Sequence, residues 1–176
     1  MMPQNIILSG TGGQGIVLAG IILAEAAIFE NKQSIQTQSY GPEARGGASR
    51  SEVIISDEAI DYPKVVTADI LLAMSQQAYD KYLYMLKKDG VLIVDSSNVK
   101  KIEKASNSIL QIPITKTARD NLGKEMFANI VALGALAART NIVCLDAITR
   151  SVLNRVPRET GDINVKALKL GYDLSS

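Results

Sequence analysis

The chain has 176 residues, 19 Lys and Arg against 18 Asp and Glu, and a formal net charge of +1, so no strong field recruits nucleic acid or an acidic membrane surface. It has no histidine and no tryptophan, and its one cysteine is Cys144. That inventory excludes an internal disulfide, a cysteine-ligated iron–sulfur cluster and a cysteine–histidine zinc site, and it removes the usual general base near neutral pH. From these absences the chain is expected to supply no catalytic and no metal-binding residue of its own. A lone thiol also suits the reducing cytoplasm.

The start, Met1-Met2-Pro3-Gln4-Asn5, lacks the basic region of a signal peptide. Asn5–Ser9 predicts a short buried strand, Gly10-Thr11-Gly12-Gly13-Gln14-Gly15 a turn, and Ile16–Glu30 a helix that is apolar on almost every side. Its apolar stretch, Ile16 to Phe29, is broken only by Glu25 and is too short for a normal membrane span. Ser34–Tyr40 predicts a second strand, Gly41–Gly47 a loop, and Arg50–Ser56 a third strand. Asp57–Thr67, which contains Pro63, is a connection, and Ile70–Met74 is a buried strand. Ser75 is expected to cap a helix running to about Lys88, with Tyr79, Leu83 and Leu86 on one face and Lys87 and Lys88 at the C-terminal dipole. Asp89-Gly90 then predicts a turn, Val91–Asp95 a strand and Ser108–Ile114 another. Lys124–Arg139 predicts a helix with a wholly apolar centre, and Asp146–Val156 and Asn164–Leu174 predict amphipathic helices. With no repeat or low-complexity linker, residues 1–176 read as a single domain. The alternation of strands and helices predicts the α/β class, a Rossmann-like three-layer sandwich with a mostly parallel sheet and helices on both faces.

Gly10, Gly12 and Gly15 fit G-x-G-x-x-G between a strand and a helix. Such glycines allow a tight turn and close backbone approach, and the free N–H groups at the helix start can hold an anion. The dinucleotide fingerprint also needs an acidic residue on the second strand, where this chain reads Ile35-Gln36-Thr37-Gln38-Ser39. A phosphate-binding loop would end in Lys-Ser or Lys-Thr, where Gln14-Gly15-Ile16 stands. NAD is therefore disfavoured. Two other roles stay open for the loop: close strand–helix packing, or contact with an anion or a partner chain.

The second unusual stretch is Tyr40-Gly41-Pro42-Glu43-Ala44-Arg45-Gly46-Gly47-Ala48-Ser49-Arg50-Ser51-Glu52. Arg45 stands among small residues, and Arg50 lies five positions on. Paired guanidiniums can grip a carboxylate or phosphate; the plainer reading is that Arg45 pairs with Glu43, Glu52 or a partner's carboxylate. Asn129 is expected to tie its apolar helix to a neighbouring loop or strand, and Gly134 to allow close helix contact. Cys144 reads as a buried small residue at a helix start, and Tyr79, Tyr82 and Tyr84 as packing. Asp95-Ser96-Ser97-Asn98 reads as a turn and helix cap, or alternatively as the polar rim of a cleft.

The two loops, with Ala19-Gly20, Leu23-Ala24, Val53-Ile54-Ile55-Ser56, Asp69, Ala73-Met74-Ser75, Asn129 and Leu133-Gly134-Ala135, resemble the gamma subunits of the 2-oxoacid:ferredoxin oxidoreductases over nearly the whole chain. Gly-Pro-Glu-Ala-Arg-Gly-Gly-Ala-Ser from Gly41 to Ser49 is most similar to the 2-oxoglutarate type; indolepyruvate- and pyruvate-type chains differ there. The resemblance implies a subunit that is inactive alone. The assembled complex decarboxylates a 2-oxoacid on thiamine diphosphate, passes electrons through iron–sulfur clusters to ferredoxin and transfers the acyl group to coenzyme A. Those cofactors are implied in alpha, beta and ferredoxin-like delta partner subunits, and none in this chain. Gly12, Gly13, Gln14, Gly15 and Arg45 are then the candidate contacts to coenzyme A or to a partner. The competing reading is a nucleotide-binding dehydrogenase domain.

Overall fold

The computed structural model describes residues 2–38, 47–103 and 108–175. In chain order the elements are β1 (Gln4–Thr11), α1 (Ile16–Phe29), β2 (Gln33–Gln38), β3 (Ala48–Ser56), β4 (Ala68–Ala73), α2 (Gln76–Tyr82), β5 (Leu86–Asp95), β6 (Ser108–Ile112), α3 (Ile114–Leu122), α4 (Ala128–Thr140), α5 (Leu145–Arg155) and α6 (Gly161–Asp173). The strands make one sheet in the order β2-β3-β1-β4-β5-β6. β1, β4, β5 and β6 pair in parallel, and β3 runs antiparallel between β1 and β2.

The central strands are apolar on both sides because both faces are covered. Ile6, Leu8, Val53, Ile55, Leu72 and Ile93 pack into a large core with α1, α3, α4, α5 and α6. Their neighbours Ile7, Ile54, Leu71, Leu92 and Val94 pack on the other face with Ala78, Tyr79 and Tyr82 of α2, together with Val65, Met85 and Val99. The expected three-layer sandwich is present, but its layers are unequal. One face carries five helices, and the other, among the described residues, carries α2 and loop segments. Within the thick layer α4 and α6 cross closely. A Cβ on Gly134 would overlap the carbonyl of Leu168, and one on Gly171 the carbonyl of Val131, so the expected close contact at Gly134 is real.

Several boundaries depart from the sequence reading. The helix capped by Ser75 ends at Tyr82, and after a 3₁₀ turn at Leu83–Met85 the chain enters β5 at Leu86. Leu86 pairs with Ala68 and Val91 with Ile70, so residues 87–90 lie opposite Asp69 alone. Asp89-Gly90 is therefore a bulge inside a strand instead of a turn between elements. Lys87 does not serve a helix dipole; its Nζ bonds Asp69 Oδ1 at 2.6 Å. The strand predicted to reach Ile114 stops at Ile112, because Pro113 opens α3, a helix that was not anticipated. The helix expected from Lys124 begins at Ala128, after a 3₁₀ turn at Glu125–Phe127.

Candidate functional site

β1 feeds α1, and the chain then builds β2 and β3 on one side of β1 and β4 on the other. The crevice outside the strand ends at such a reversal is where open α/β sheets bind ligands. A cleft of about 510 Å³ lies there, lined by Thr11, Gly13 and Gln14 of the glycine loop, Ser75 and Gln76 at the start of α2, and Asn98, Thr115, Glu125, Met126 and Ala128 opposite.

The glycine loop is stapled shut by its own glutamine. Gln14 Oε1 accepts from the Thr11 N–H at 2.8 Å, and Gln14 Nε2 donates to the carbonyl of Met74 at 3.3 Å. Gly12 and Gly13 stand exposed at the tip. Gly15, at φ 70°, is the N-cap of α1 and brings no capping side chain. The first N–H groups of α1 lack intrahelical partners, as at any helix start, and lie beside the exposed glycines. Asn129 Nδ2 donates to the Gly15 carbonyl at 3.3 Å, and a Cβ on Gly15 would overlap that amide. Asn129 thus ties α4 to the loop, as expected.

The opposite wall hangs on Asp95, which is fully buried at the end of β5. Its Oδ2 accepts from Asn98 Nδ2 at 3.0 Å, from the Thr115 N–H at 3.2 Å and from Thr115 Oγ1 at 2.5 Å, and its Oδ1 accepts from the Ser97 N–H at 2.9 Å. Ser97 Oγ accepts from the Lys116 N–H at 3.1 Å. Asp95 and Ser97 therefore turn the chain and cap α3 from outside the helix, while Asn98 presents its side of the same network to the cleft. Both readings of Asp95–Asn98 hold, divided between residues. Of the described lining residues only Glu125 is charged, and Arg119 Nη1 lies 2.9 Å from its Oε1. The cleft otherwise offers hydroxyls, amides and a helix start. Ser75, Gln76, Thr115 and Met126 were not anticipated as lining residues. They come from three separate places in the chain, the start of α2, α3 and the turn before α4, and carry no shared motif; only the capping pattern at Ser75 was legible.

Arg45 lies outside the described residues, as do Gly41–Gly46 and the last two positions of the strand predicted over Ser34–Tyr40. Arg50 is engaged with its own strand and with its neighbours on α2 and the turn after it. Its Nη2 pairs with Glu52 Oε1 at 2.8 Å, its Nη1 lies 3.1 Å from Met85 Sδ, and its Cζ lies 5.2 Å from the Tyr82 ring centre. Cys144 is exposed instead of buried. It caps α5, its Sγ accepting from the Ala147 N–H at 3.4 Å. Among the described residues no group of three or more His, Cys, Asp or Glu is placed to hold a metal ion. That donor set does not fit an iron–sulfur cluster. No helix of the described residues is long and apolar enough to cross a membrane.

The family model described as pyruvate ferredoxin/flavodoxin oxidoreductase matches residues 5–174. The chain belongs to this family. Among its members, the 2-oxoglutarate synthase subunit KorC of Methanocaldococcus jannaschii is 49% identical over 177 residues, covering 99% of this chain and 95% of that one. The gamma subunit of a keto/oxoacid ferredoxin oxidoreductase from Geobacter sulfurreducens matches with a TM-score of 0.92 at 46% identity, over 99% of this chain and 97% of that one. A 2-oxoglutarate:ferredoxin oxidoreductase from Magnetococcus marinus, solved with 2-oxoglutarate, coenzyme A and succinyl-CoA, contains the same fold with a TM-score of 0.87. At 22% identity, over 98% of this chain and 31% of that one, it shows the fold alone. Within the pyruvate ferredoxin/flavodoxin oxidoreductase family this chain is thus of the gamma-subunit type and is similar to the 2-oxoglutarate members, as the loop motifs implied.

Proposed function

We propose that the chain is the gamma subunit of a cytoplasmic 2-oxoglutarate:ferredoxin oxidoreductase, working with alpha and beta subunits and a ferredoxin-like delta subunit. The observation that carries this reading is the 49% identity to a 2-oxoglutarate synthase subunit over 99% of this chain and 95% of that one. With one cysteine and no histidine the chain cannot ligate an iron–sulfur cluster by itself, so oxidative decarboxylation to acyl-CoA is assigned to the assembled complex, with thiamine diphosphate and the iron–sulfur clusters in the partner subunits.

The part assigned to this chain is a preformed cleft. Gly12, Gly13 and Gly15 leave the start of α1 open to an anion, Gln14 holds the loop in place, and Arg45 would add a guanidinium. Asn98, Gln76 and Thr115 supply a neutral, hydrogen-bonding wall. A phosphate-bearing thiol carrier with an amide-rich arm, which is the chemistry of coenzyme A, suits that combination.

Two measurements test the assignment. Complex reconstituted with this chain reduces a viologen dye with 2-oxoglutarate and coenzyme A, whereas the chain alone, or the partners without it, does not. Equal activity without the chain, or a higher kcat/KM for pyruvate, overturns the reading. Arg45→Ala in the intact complex raises KM for coenzyme A about ten-fold, the scale of one charge-assisted hydrogen bond, with kcat held. An unchanged KM in an intact complex moves the loop from coenzyme A to a partner contact.

A further inference from the structure

The hydrogen bonds already made inside the protein give the cleft a polarity. On the wall built by Gln76, Asn98 and Thr115 every side-chain proton is spent inward. Asn98 Nδ2 donates to the Met74 carbonyl at 3.2 Å, to Asp95 Oδ2 at 3.0 Å and to Thr115 Oγ1 at 3.1 Å. A carbonyl and a carboxylate have no proton to give, so the atom facing them is the nitrogen, and the Asn98 amide has one orientation. Thr115 Oγ1 gives its only proton to Asp95 Oδ2. Gln76 Nε2 gives its two to Asp80 Oδ1 and the Lys101 carbonyl, both at 2.9 Å, while its Oε1 accepts from the N–H groups of Lys100 and Lys101.

Asn98 Oδ1 is what this wall leaves open. No donor of the described residues reaches it, and it is not a buried orphan. With Nδ2 turned inward, Oδ1 opens to the cleft that Asn98 lines. The protons available to a ligand lie elsewhere. The first N–H groups of α1 lack intrahelical partners. The Ser75 hydroxyl accepts from the Ala78 N–H at 3.2 Å and gives its own proton to none of the described residues. A carboxylate, phosphate or carbonyl oxygen set against Asn98 would face the lone pairs of Oδ1, whereas an N–H would complete them.

We infer that Asn98, held by Asp95, is a specificity-determining residue of the cleft: its Oδ1 accepts an N–H from the neutral part of a ligand whose anionic part lies at the glycine loop. This deepens the coenzyme A reading of the cleft and rests on it. Coenzyme A carries such protons in two places, the secondary amides of its arm and the exocyclic amine of its adenine; a 2-oxoacid carries none.

The test measures the affinity of the reconstituted complex for coenzyme A and for two analogues, one with the arm amides replaced by esters and one with hypoxanthine in place of adenine. Each exchanges the N–H at its position for an oxygen. The native complex is expected to bind one analogue about ten-fold or more weakly than coenzyme A, the scale of one lost hydrogen bond with its acceptor left unmet; which analogue loses identifies the N–H. Asn98→Ala is expected to bind coenzyme A about ten-fold more weakly and to lose that discrimination. A merely structural Asn98 would weaken all three ligands equally and leave the discrimination in place, which overturns the inference. A native complex that binds both analogues as tightly as coenzyme A overturns it too, and that result needs no variant to fold. If Arg45→Ala weakens coenzyme A and Asn98→Ala changes nothing, the inference fails and the coenzyme A reading stands. If neither variant changes the affinity, the coenzyme A reading of the cleft fails and the inference with it.

Discussion

At the scale of single residues the glycine loop is a small machine of three parts. Gln14 closes the turn through the Thr11 N–H and the Met74 carbonyl, Gly15 bends the chain into α1, and Asn129 grips the Gly15 carbonyl from α4. A side chain at Gly15 faces two penalties. Its φ of 70° disfavours any L residue by about 1–2 kcal/mol, and its Cβ would meet the Asn129 amide. Gly15→Ala is therefore expected to lower the thermal midpoint by several degrees. Adding Asn129→Ala removes the overlapping amide, so it should add less than it costs in the native chain and leave the part due to φ; full native stability of Gly15→Ala alone would show that the contact is not formed. The motif was legible because it is contiguous. The partner of Gly15 was not, because 114 positions separate it from Asn129, and the sequence reading reached only as far as an unspecified tie.

At the scale of elements, α1 is held to α5 by two carboxylates. Glu25 Oε2 accepts from Arg155 Nε at 2.7 Å and from Ser151 Oγ at 3.0 Å. Glu30 accepts from the Cys144 N–H and pairs with Lys32 Nζ at 2.6 Å. Burial pushes Glu25 up, but the Arg155 and Ser151 hydrogen bonds and the guanidinium charge outweigh it and hold the carboxyl below its ordinary value of 4.5. Burial likewise pushes Glu30 up, and the Cys144 N–H and Lys32 outweigh it. Both groups are lowered in the folded state, so their stabilisation is fully present above the unfolded value of 4.5 and is lost as pH falls through the folded values below it. Thermal unfolding should accordingly be insensitive to these groups at neutral pH and weaken in acid. Glu25→Gln should lower the midpoint at pH 7, with the difference from native shrinking at low pH; a constant difference across the range would remove the tie from the account.

The α4–α6 crossing is a second element-scale constraint. Gly171→Ala gains about 1 kcal/mol of helix propensity, yet it forces a Cβ into the Val131 carbonyl. Overpacking costs about 1–3 kcal/mol, and a backbone obstacle yields less than a side chain does, so the variant should be net destabilised in denaturant titration. A variant more stable than native would mean that the helices can separate without cost.

At the scale of the whole molecule, the sheet separates two surfaces. The carboxyl end carries the stapled loop and the cleft; the amino end carries a depression beside the exposed Tyr62 and Val66. Alternation of buried strands and helices, the glycine turn, the missing histidine and metal donors, and the family to which the loops belong were all determined by the sequence alone. These are contiguous or compositional properties, and burial on both faces of a parallel sheet leaves continuous apolar runs that need no partner to be read. Only the tertiary structure decided that β3 runs antiparallel, that Lys87 sits in a bulge opposite Asp69, that Arg50 belongs to Glu52, and that Asp95 organises a cleft wall from Asn98 and Thr115. Each of these depends on strand register or on pairing between segments distant in the chain, and local propensity carries no information about either. The glycine loop shows both sides: its turn is written in six consecutive residues, and its role is set by what α4, β4 and the α3 cap place around it.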